Sequence, residues 1–387
     1  MYKSYGDVST NWAIKGAETM LSREPNMNPK HLWEYEDGLM LNGVYSVYKN
    51  TGEKRYLQYI KSNLDLFVDG QGHIANYAYE EFNLDNINSG KALLDLYQET
   101  QDLRYKLAAE KLYDQLLHQP KTKSGVFWHK NKYPYQVWLD GIYMASVFYA
   151  RYQRMFGITD QLDDVVHQFL EAYKVTIDPK TGLCYHAYDE TRHMEWSDPN
   201  GHSKHFWLRS LGWYLMATVD ALEYLPEDQS GRDKMIKILH DLLDSLQKVA
   251  DPATNLWYQI PDEAGRPLNY LESSGSFMIL NAIAKGLRKG YLAESEWASI
   301  LDKGWSNGIT QFLSISTEGW VNVNRICHVG SLTMWEHKDG SYAYYMTEPI
   351  VANDHKGVGP FLLLANEMEL RKEMLSDGKN DSTTNCC

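Results

Sequence analysis

Cysteine is scarce in this chain: four residues in 387, two of them adjacent at the C-terminal end. That number and placement provide no disulfide framework, so the hydrophobic core has to hold the fold. A basic surplus is missing as well. Lys and Arg total 38 against 51 Asp and Glu, a net charge of −13, and no Lys/Arg run stands out. This excludes nucleic acid as a partner, because phosphate binding needs a basic surface. It does not exclude a small anionic substrate, which responds to the local field of a cleft. No apolar stretch is long and charge-poor enough to span a membrane. The start, Met1-Tyr2-Lys3-Ser4-Tyr5-Gly6-Asp7, lacks the basic opening and apolar core of a secretory signal. A cytoplasmic location is therefore expected, with no membrane partner. There is no phosphate-cradling glycine loop and no dinucleotide fingerprint, so no nucleotide cofactor is expected.

What the chain does have is recurrence. Six times a polar residue or a small Gly/Ser cluster opens a strongly apolar helical run. The openings are Asp37-Gly38, Asp85-Asn86-Ile87-Asn88-Ser89-Gly90, Asp140-Gly141, Arg209-Ser210-Leu211-Gly212, Glu272-Ser273-Ser274-Gly275 and Asp354-His355-Lys356-Gly357. A second helix-like stretch follows most of them, which is the mark of a repeat architecture. The first helix of a unit is apolar nearly all round, as in the run from Gly141 to Ala150, and suits a position with neighbours on every side. The second is amphipathic. Leu162, Val165, Val166, Phe169, Leu170 and Tyr173 form one face, and Met235, Ile236, Leu239, Leu242, Leu243, Leu246 and Val249 form another.

A buried inner helix followed by a one-faced outer helix, six times over, describes an all-α (α/α)6 barrel. The sixth inner run, residues 358–370, lacks an obvious partner, and residues 12–21 are available to close the ring. An open solenoid would need polar caps on its outermost repeats, and these are not evident. Length exceeds the usual ~100–200 residues per domain. Yet no Pro/Gly/Ser-rich linker divides the chain, and residues 1–372 read as a single domain. Residues 373–387, rich in Asp, Ser, Thr and Asn, read as a disordered tail.

In such a ring all six openings lie at one end. Asp140 and Asp85 start consecutive inner helices, so both carboxylates are expected over one cavity. An Asp in such a place ordinarily caps its helix, and Asn88 or Ser89 is the better cap beside Asp85. As a pair, however, the two acids match what sugar chemistry uses, one carboxyl held protonated and its neighbour charged. Trp128, Tyr133, Tyr135, Trp138, Phe206, Trp207 and Trp213 crowd the same connections, where flat rings offer stacking surfaces for pyranoses. His129, Lys130, His186 and Arg209 add cationic donors there, beside helix N-termini that favour anions. Arg209 is placed to grip a carboxylate through two parallel hydrogen bonds.

Metal readings are weaker. His202-Ser203-Lys204-His205 has ligand spacing but no third member. Cys184, Cys327 and His328 match in type a Cys₂His zinc set like that of lanthionine-forming cyclases, which share the toroid, but the glycine-rich signatures of those enzymes are missing.

Trp138-Leu139-Asp140-Gly141-Ile142-Tyr143-Met144-Ala145 and Leu84-Asp85-Asn86-Ile87-Asn88-Ser89-Gly90-Lys91 resemble segments of the unsaturated rhamnogalacturonyl hydrolases of glycoside hydrolase family 105, relatives of the unsaturated glucuronyl hydrolases of family 88. Tyr185-His186-Ala187-Tyr188-Asp189, Phe206-Trp207-Leu208-Arg209 with Gly212-Trp213-Tyr214, Asp339-Gly340-Ser341-Tyr342 and Asn353-Asp354-His355-Lys356-Gly357-Val358-Gly359 extend the likeness over residues 35–370. The resemblance implies an (α/α)6 barrel and a hydration reaction at a 4,5-unsaturated galacturonyl residue. It implies Asp140 as the acid that protonates C4, and Asp85 as the residue that keeps it protonated by like-charge repulsion. Tyr35, His129, Lys130, Trp138, His186, Trp207, Arg209 and Trp213 would contact or border a small anionic oligosaccharide. No cofactor is implied, and the assembly would be a monomer or simple homo-oligomer. Ser210, where the family more often has Gly or Ala, and a bulky segment at residues 333–338 depart from the pattern and bear on the sugar beyond the scissile bond. Rival readings are an unsaturated glucuronyl hydrolase acting on glycosaminoglycan fragments, a sugar epimerase using paired histidines, and a non-catalytic sugar-binding toroid.

Because no ligand cluster withstands scrutiny, exhaustive chelation should leave turnover unchanged. A loss that zinc restores would point back to Cys184, Cys327 and His328.

Overall fold

The computed structural model describes residues 8–333 and 338–383, the last seven by backbone alone. The chain opens with helix α1 (Trp12–Arg23) and then alternates inner and outer helices. The first pair is α2 (Tyr35–Thr51) and α3 (Lys54–Leu64). In the second unit the inner helix is in two pieces, α4 (Asp85–Asn88) and α5 (Gly90–Thr100), followed by outer α6 (Leu103–His118). The third inner helix starts as the short α7 (Leu139–Gly141), passes through a π-helical turn (Ile142–Ser146) and continues as α8 (Val147–Phe156), with outer α9 (Leu162–Thr176). Then come inner α10 (Leu208–Ala221) and outer α11 (Arg232–Val249), and inner α12 (Ser273–Arg288) and outer α13 (Glu294–Phe312). A short α14 (Tyr342–Thr347) precedes the sixth inner helix, α15 (His355–Thr383). Among the described residues the inner helices touch in cyclic order, and α15 lies against both α12 and α2. α1 packs on α15, so the N-terminal helix supplies the missing sixth outer element. The molecule is an all-α (α/α)6 barrel, as the periodicity requires.

Burial separates the two layers. In α10 every residue from Leu208 to Val219 is buried, and α12 is buried from Ser273 to Ala284. In α9 the buried set includes Leu162, Val165, Val166 and Phe169, with the acids outward; Leu170 and Tyr173 are half-buried at its edge. Inner helices approach closely where glycines remove the side chain. A Cβ on Gly359 of α15 would stand 2.6 Å from Leu39 Cγ and 3.1 Å from the Leu39 carbonyl, and one on Gly38 of α2 would stand 2.5 Å from Ser89 Cα. Beyond Arg371 the sixth inner helix leaves the body. Residues 372–376 are exposed, and the segment expected as a disordered tail continues as helix to Thr383.

A second repeat accompanies the helices. After five outer helices the chain makes a similar tight hairpin. Asp69 N donates to His73 O, Thr122 N to Val126 O, Asp178 N to Leu183 O, Asp251 N to Leu256 O and Ser316 N to Trp320 O. Each tip needs a left-handed residue, met by Gly72, Gly125, Gly182, Asn255 and Gly319, all at positive φ. Longer excursions carry strands β1 (Gln136–Trp138), β2 (Ala187–Asp189), β3 (Leu313–Ile315), β4 (Val321–Val323), β5 (Ile326–Cys327) and β6 (Ile350–Val351), paired antiparallel as β1–β2, β3–β4 and β5–β6.

At the rim the ring is clamped by His355, the first residue of α15. Its Nε2 lies 2.9 Å from Glu24, just past α1, and its Nδ1 lies 3.2 Å from Asp37 in the first turn of α2. Burial alone would lower the imidazole's pKa, but hydrogen bonds and charge from Asp37 and Glu24 outweigh it and hold the group at about 9. A raised folded-state pKa means the clamp stabilises fully below the ordinary histidine value of about 6.5 and is lost as pH climbs through 9. Urea denaturation should therefore show stability declining across that window. His355→Gln should remove that decline together with part of the stability at pH 6, and an unchanged pH profile in the variant would refute the clamp.

Candidate active site

Asp140 and His186 are brought together by one strand pair. In β1–β2, Trp138 faces Ala187, and Leu139 N donates to the His186 carbonyl at 3.1 Å. Asp140 follows directly in α7, whose N-cap is Trp138, and the π turn comes immediately after; such turns frequently mark functional positions. Asp140 does not serve as the cap residue. Its Oδ2 is buried with no hydrogen-bond partner among the described residues, 3.4 Å from His186 Nε2. His186 is fully buried and its Nδ1 lies 2.8 Å from the Tyr345 hydroxyl. Asp140, His186 and Tyr345 thus form a line of polar groups running from the helix head inward to α14.

Asp85 is the opposite case. Its carboxylate holds Lys130 at 2.6 Å and His129 at 3.3 Å. Burial works to raise its pKa, but the charges of Lys130 and His129 and their hydrogen bonds overcome it and hold the carboxyl well below the usual range. The two acids therefore sit in unlike settings, one compensated in place and one without a hydrogen bond on Oδ2. The repulsive role expected of Asp85 does not fit this setting, because its negative charge is neutralised by its own neighbours. The pairing has a local cause: Leu84 N donates to the His129 carbonyl, and His129 N to the Gln136 carbonyl, which tie the 129–130 segment to the start of α4. Asn88 and Ser89, read as caps, instead donate to the carbonyls of Tyr35 and Glu34 and fasten α4 to the head of α2.

Tyr35 stands among these groups. Burial and Glu36 raise its phenol, Arg209 opposes them, and Asp85 and Asp140 add to the rise, so its hydroxyl feels both acids and the arginine. Its ring meets Trp213 edge-on at 6.3 Å. Trp138 is sandwiched between His129, centroid distance 4.9 Å, and Tyr133 at 5.2 Å, both nearly parallel, with His186 across its edge.

Most of the predicted contact residues lie deeper than expected, His129, Trp138 and His186 among them. Trp207 and Trp213 are buried to 1% exposure, one against His186 and one against Tyr143, and leave almost no surface for stacking. Arg209 is equally buried. Its Nη1 donates to Ser274 Oγ and to the Cys327 carbonyl and its Nη2 to the His328 carbonyl, while Nε has no hydrogen-bond partner among the described residues. The two-pronged carboxylate grip expected of it is thus largely committed to backbone, and Nε is its free donor. Ser210 donates to the Trp207 carbonyl and stays within the helix start. Of the 333–338 segment, Met334, Trp335, Glu336 and His337 lie outside the described residues.

Sequence reasoning missed Tyr345 and Glu272. Tyr345 sits on the short α14, outside any periodic pattern. Glu272 is a fully buried cap that accepts from Ser274 N, Gly275 N and Cys327 N, and so holds the segment that engages Arg209. The Glu-Ser-Ser-Gly opening was its signal. For zinc, no group of three His, Cys, Asp or Glu among the described residues is placed to hold a metal. Burial pushes the Cys184 and Cys327 thiols up to about 12 and about 11.

Lys130→Met removes the ammonium that lies nearest Asp85. The Asp85 carboxyl should then titrate higher, toward the ordinary carboxylate range, in carbon NMR. An unmoved titration would mean that His129 alone sets it.

Comparison with known proteins agrees with this architecture. The model of Glycosyl Hydrolase Family 88 matches residues 7–372. A solved glycoside hydrolase from family 105 of C. acetobutylicum ATCC 824 is 43% identical, with TM-score 0.91, covering 93% of this chain and 100% of that one. The unsaturated rhamnogalacturonyl hydrolase YesR of Bacillus subtilis (strain 168) is 26% identical over 74% of this chain and 80% of its own length. An unsaturated 3S-rhamnoglycuronyl hydrolase of Alteromonas sp. (strain LOR) is 25% identical over 60% of this chain and 50% of its own. With a family model spanning nearly the whole sequence and a close structural relative, the chain belongs to the glycosyl hydrolases of families 88 and 105.

Proposed function

We propose that this glycoside hydrolase is an unsaturated rhamnogalacturonyl hydrolase. It hydrates the 4,5-double bond of the unsaturated galacturonyl residue at the non-reducing end of lyase-generated rhamnogalacturonan oligosaccharides, releasing that uronyl residue as a ring-opened keto acid and a rhamnose-ended product. The observation that carries this reading is the free carboxyl of Asp140: unpartnered at Oδ2, beside a buried histidine, at the head of an inner helix. The sugar assignment draws on YesR and the Alteromonas enzyme, whose names both join rhamnose to a uronyl group.

Asp140 gives its proton to C4. Positive charge develops at C5 and the ring oxygen, and water adds at C5 while Asp140 takes back a proton from it. The resulting hemiketal opens and expels the rhamnose-ended remainder. The proton lost at the first step is regained at the second, so the acid is restored. His186, oriented by Tyr345 on its far nitrogen, borders Asp140. Asp85 acts by holding Lys130 and His129 at the cavity edge, where their hydrogen-bond donors meet an anionic sugar. Tyr35 supplies ring surface, and Trp138, Trp207, Trp213 and Arg209 support it from within the wall.

Asp140→Asn keeps the shape and removes the proton. Turnover should fall about 10²–10⁴-fold or more, the usual worth of general acid–base catalysis, with folding intact. In heavy water the product should carry deuterium at C4, the ultraviolet absorbance of the conjugated enol should vanish in step with release, and a saturated galacturonyl substrate should be inert. Cleavage of the saturated substrate, or product lacking deuterium at C4, would overturn the mechanism. Faster turnover of glycosaminoglycan-derived than of rhamnose-linked disaccharides would overturn the sugar assignment alone.

A further inference from the structure

The barrel has a second cavity, at the end away from Asp140. It has a volume of about 410 Å³, within the range of small-molecule sites, and all six inner helices line it. Its lining residues on α5 and α8, Asp95 and Arg151, come ten and eleven residues after Asp85 and Asp140, roughly 15 Å farther along the axis at 1.5 Å per helical residue; Lys91 and Tyr143, at its inner end, come six and three residues after the two acids, roughly 9 and 5 Å.

Charge is abundant there and almost all of it is matched. Asp95 meets Arg151 at 2.6 Å, Asp220 and Glu223 meet Lys285 at 2.6 and 2.5 Å, and Glu367 takes Arg288 at 2.5 Å. Lys91 is different. It is 4% exposed, its Nζ has no hydrogen-bond partner among the described residues, and it rests 3.5 Å from the centroid of the Tyr143 ring. A buried ammonium without a counter-charge is costly, and a ring face repays only part of that. Asn366, also lining the cavity and 5% exposed, leaves its Oδ1 without a hydrogen-bond partner. An unpaired cation, a free amide oxygen and several carboxylates on one small wall define the complement: one negative charge for Lys91, and hydroxyl groups to donate to the oxygens. A phosphate dianion would meet four carboxylates with a single free cation opposite it.

We propose that this cavity binds a small polyhydroxylated monocarboxylate, a sugar acid, with its carboxylate on Lys91 Nζ and its hydroxyls toward Asn366 and the wall carboxylates. The site is separate from the catalytic cavity and does not depend on which glycan is cleaved there.

Protonation of Lys91 is coupled to occupancy. Burial lowers its pKa to about 7; Asp220 and Asp95 oppose that, and Arg151 and Lys285 add to it. An anion needs the ammonium form, so affinity should weaken by roughly tenfold per pH unit above 7.

The test uses D-galacturonate as the probe on the full chain. Calorimetric titration of the wild type should show a binding event that weakens tenfold per unit between pH 7 and 9 and is absent from Lys91→Met. A crystal grown with the probe should show it against Lys91. Reductive ¹³C-methylation of the wild type adds a reading that needs no variant: the Lys91 resonance should titrate near 7, and galacturonate should move that titration upward. Equal binding by a folded Lys91→Met, galacturonate found in the catalytic cavity alone, or a Lys91 titration indifferent to the probe would each overturn the proposal.

Discussion

The ring depends on how α15 closes it. A six-membered ring of helix pairs has no natural start, and here the outer helix α1 precedes the other elements while its inner partner α15 follows them. The contact between α15 and α2 sets the part of the rim around His355. That contact is possible because Gly359 brings no side chain against Leu39, and it is locked at the top by His355 between Glu24 and Asp37. Helices joined so far apart in sequence bear a large loop-closure cost, which is met by burial of α15 over its first four turns. The rim loops then have a fixed base, and short strand pairs suffice to aim side chains.

Two acids separated by one repeat show how such a base is used. Asp85 and Asp140 occupy equivalent openings, but the segment that packs beside each differs. The 129–130 stretch delivers an ammonium and an imidazole to Asp85, while the residue just before β2 delivers a single buried imidazole to Asp140. Equivalent backbone positions thereby acquire opposite electrostatics, and the difference originates in connections, not in the helices that carry the acids. The same logic extends toward the far end of the barrel, where the ends of the inner helices gather paired charges while Lys91, deeper in the wall, is left without a hydrogen-bond partner among the described residues.

The architecture was legible because it rests on periodicity. Apolar residues all round one helix and on one face of the next are statements about burial, and burial decides the ring. Residues 12–21 were legible as the closing element for the same reason. The candidate acids could be read because Asp before a helix is conspicuous. What could not be read is depth. Nothing in Phe206-Trp207-Leu208-Arg209 says that both Trp207 and Arg209 lie beneath the cavity, with the guanidinium committed to the carbonyls of Cys327 and His328, more than a hundred residues away. Tyr345 was hidden because a six-residue helix has no period to display. The five hairpins were overlooked because their flanks differ in sequence and their closing hydrogen bonds span either four or five residues, although each tip carries a left-handed glycine or asparagine.

The π turn at Ile142–Ser146 has a consequence for how this site changes over evolutionary time. A π turn is an α-helix with one residue more than its winding needs, and each residue of an α-helix corresponds to about 100° of rotation. The turn therefore works as a phase shifter between the head of the helix and its body. Packing of α8 against its neighbours can be kept while the direction of Asp140 is set separately. Loss of a single residue from this turn would leave every hydrophobic contact of α8 in register and swing the acid about a quarter of a circle away from His186.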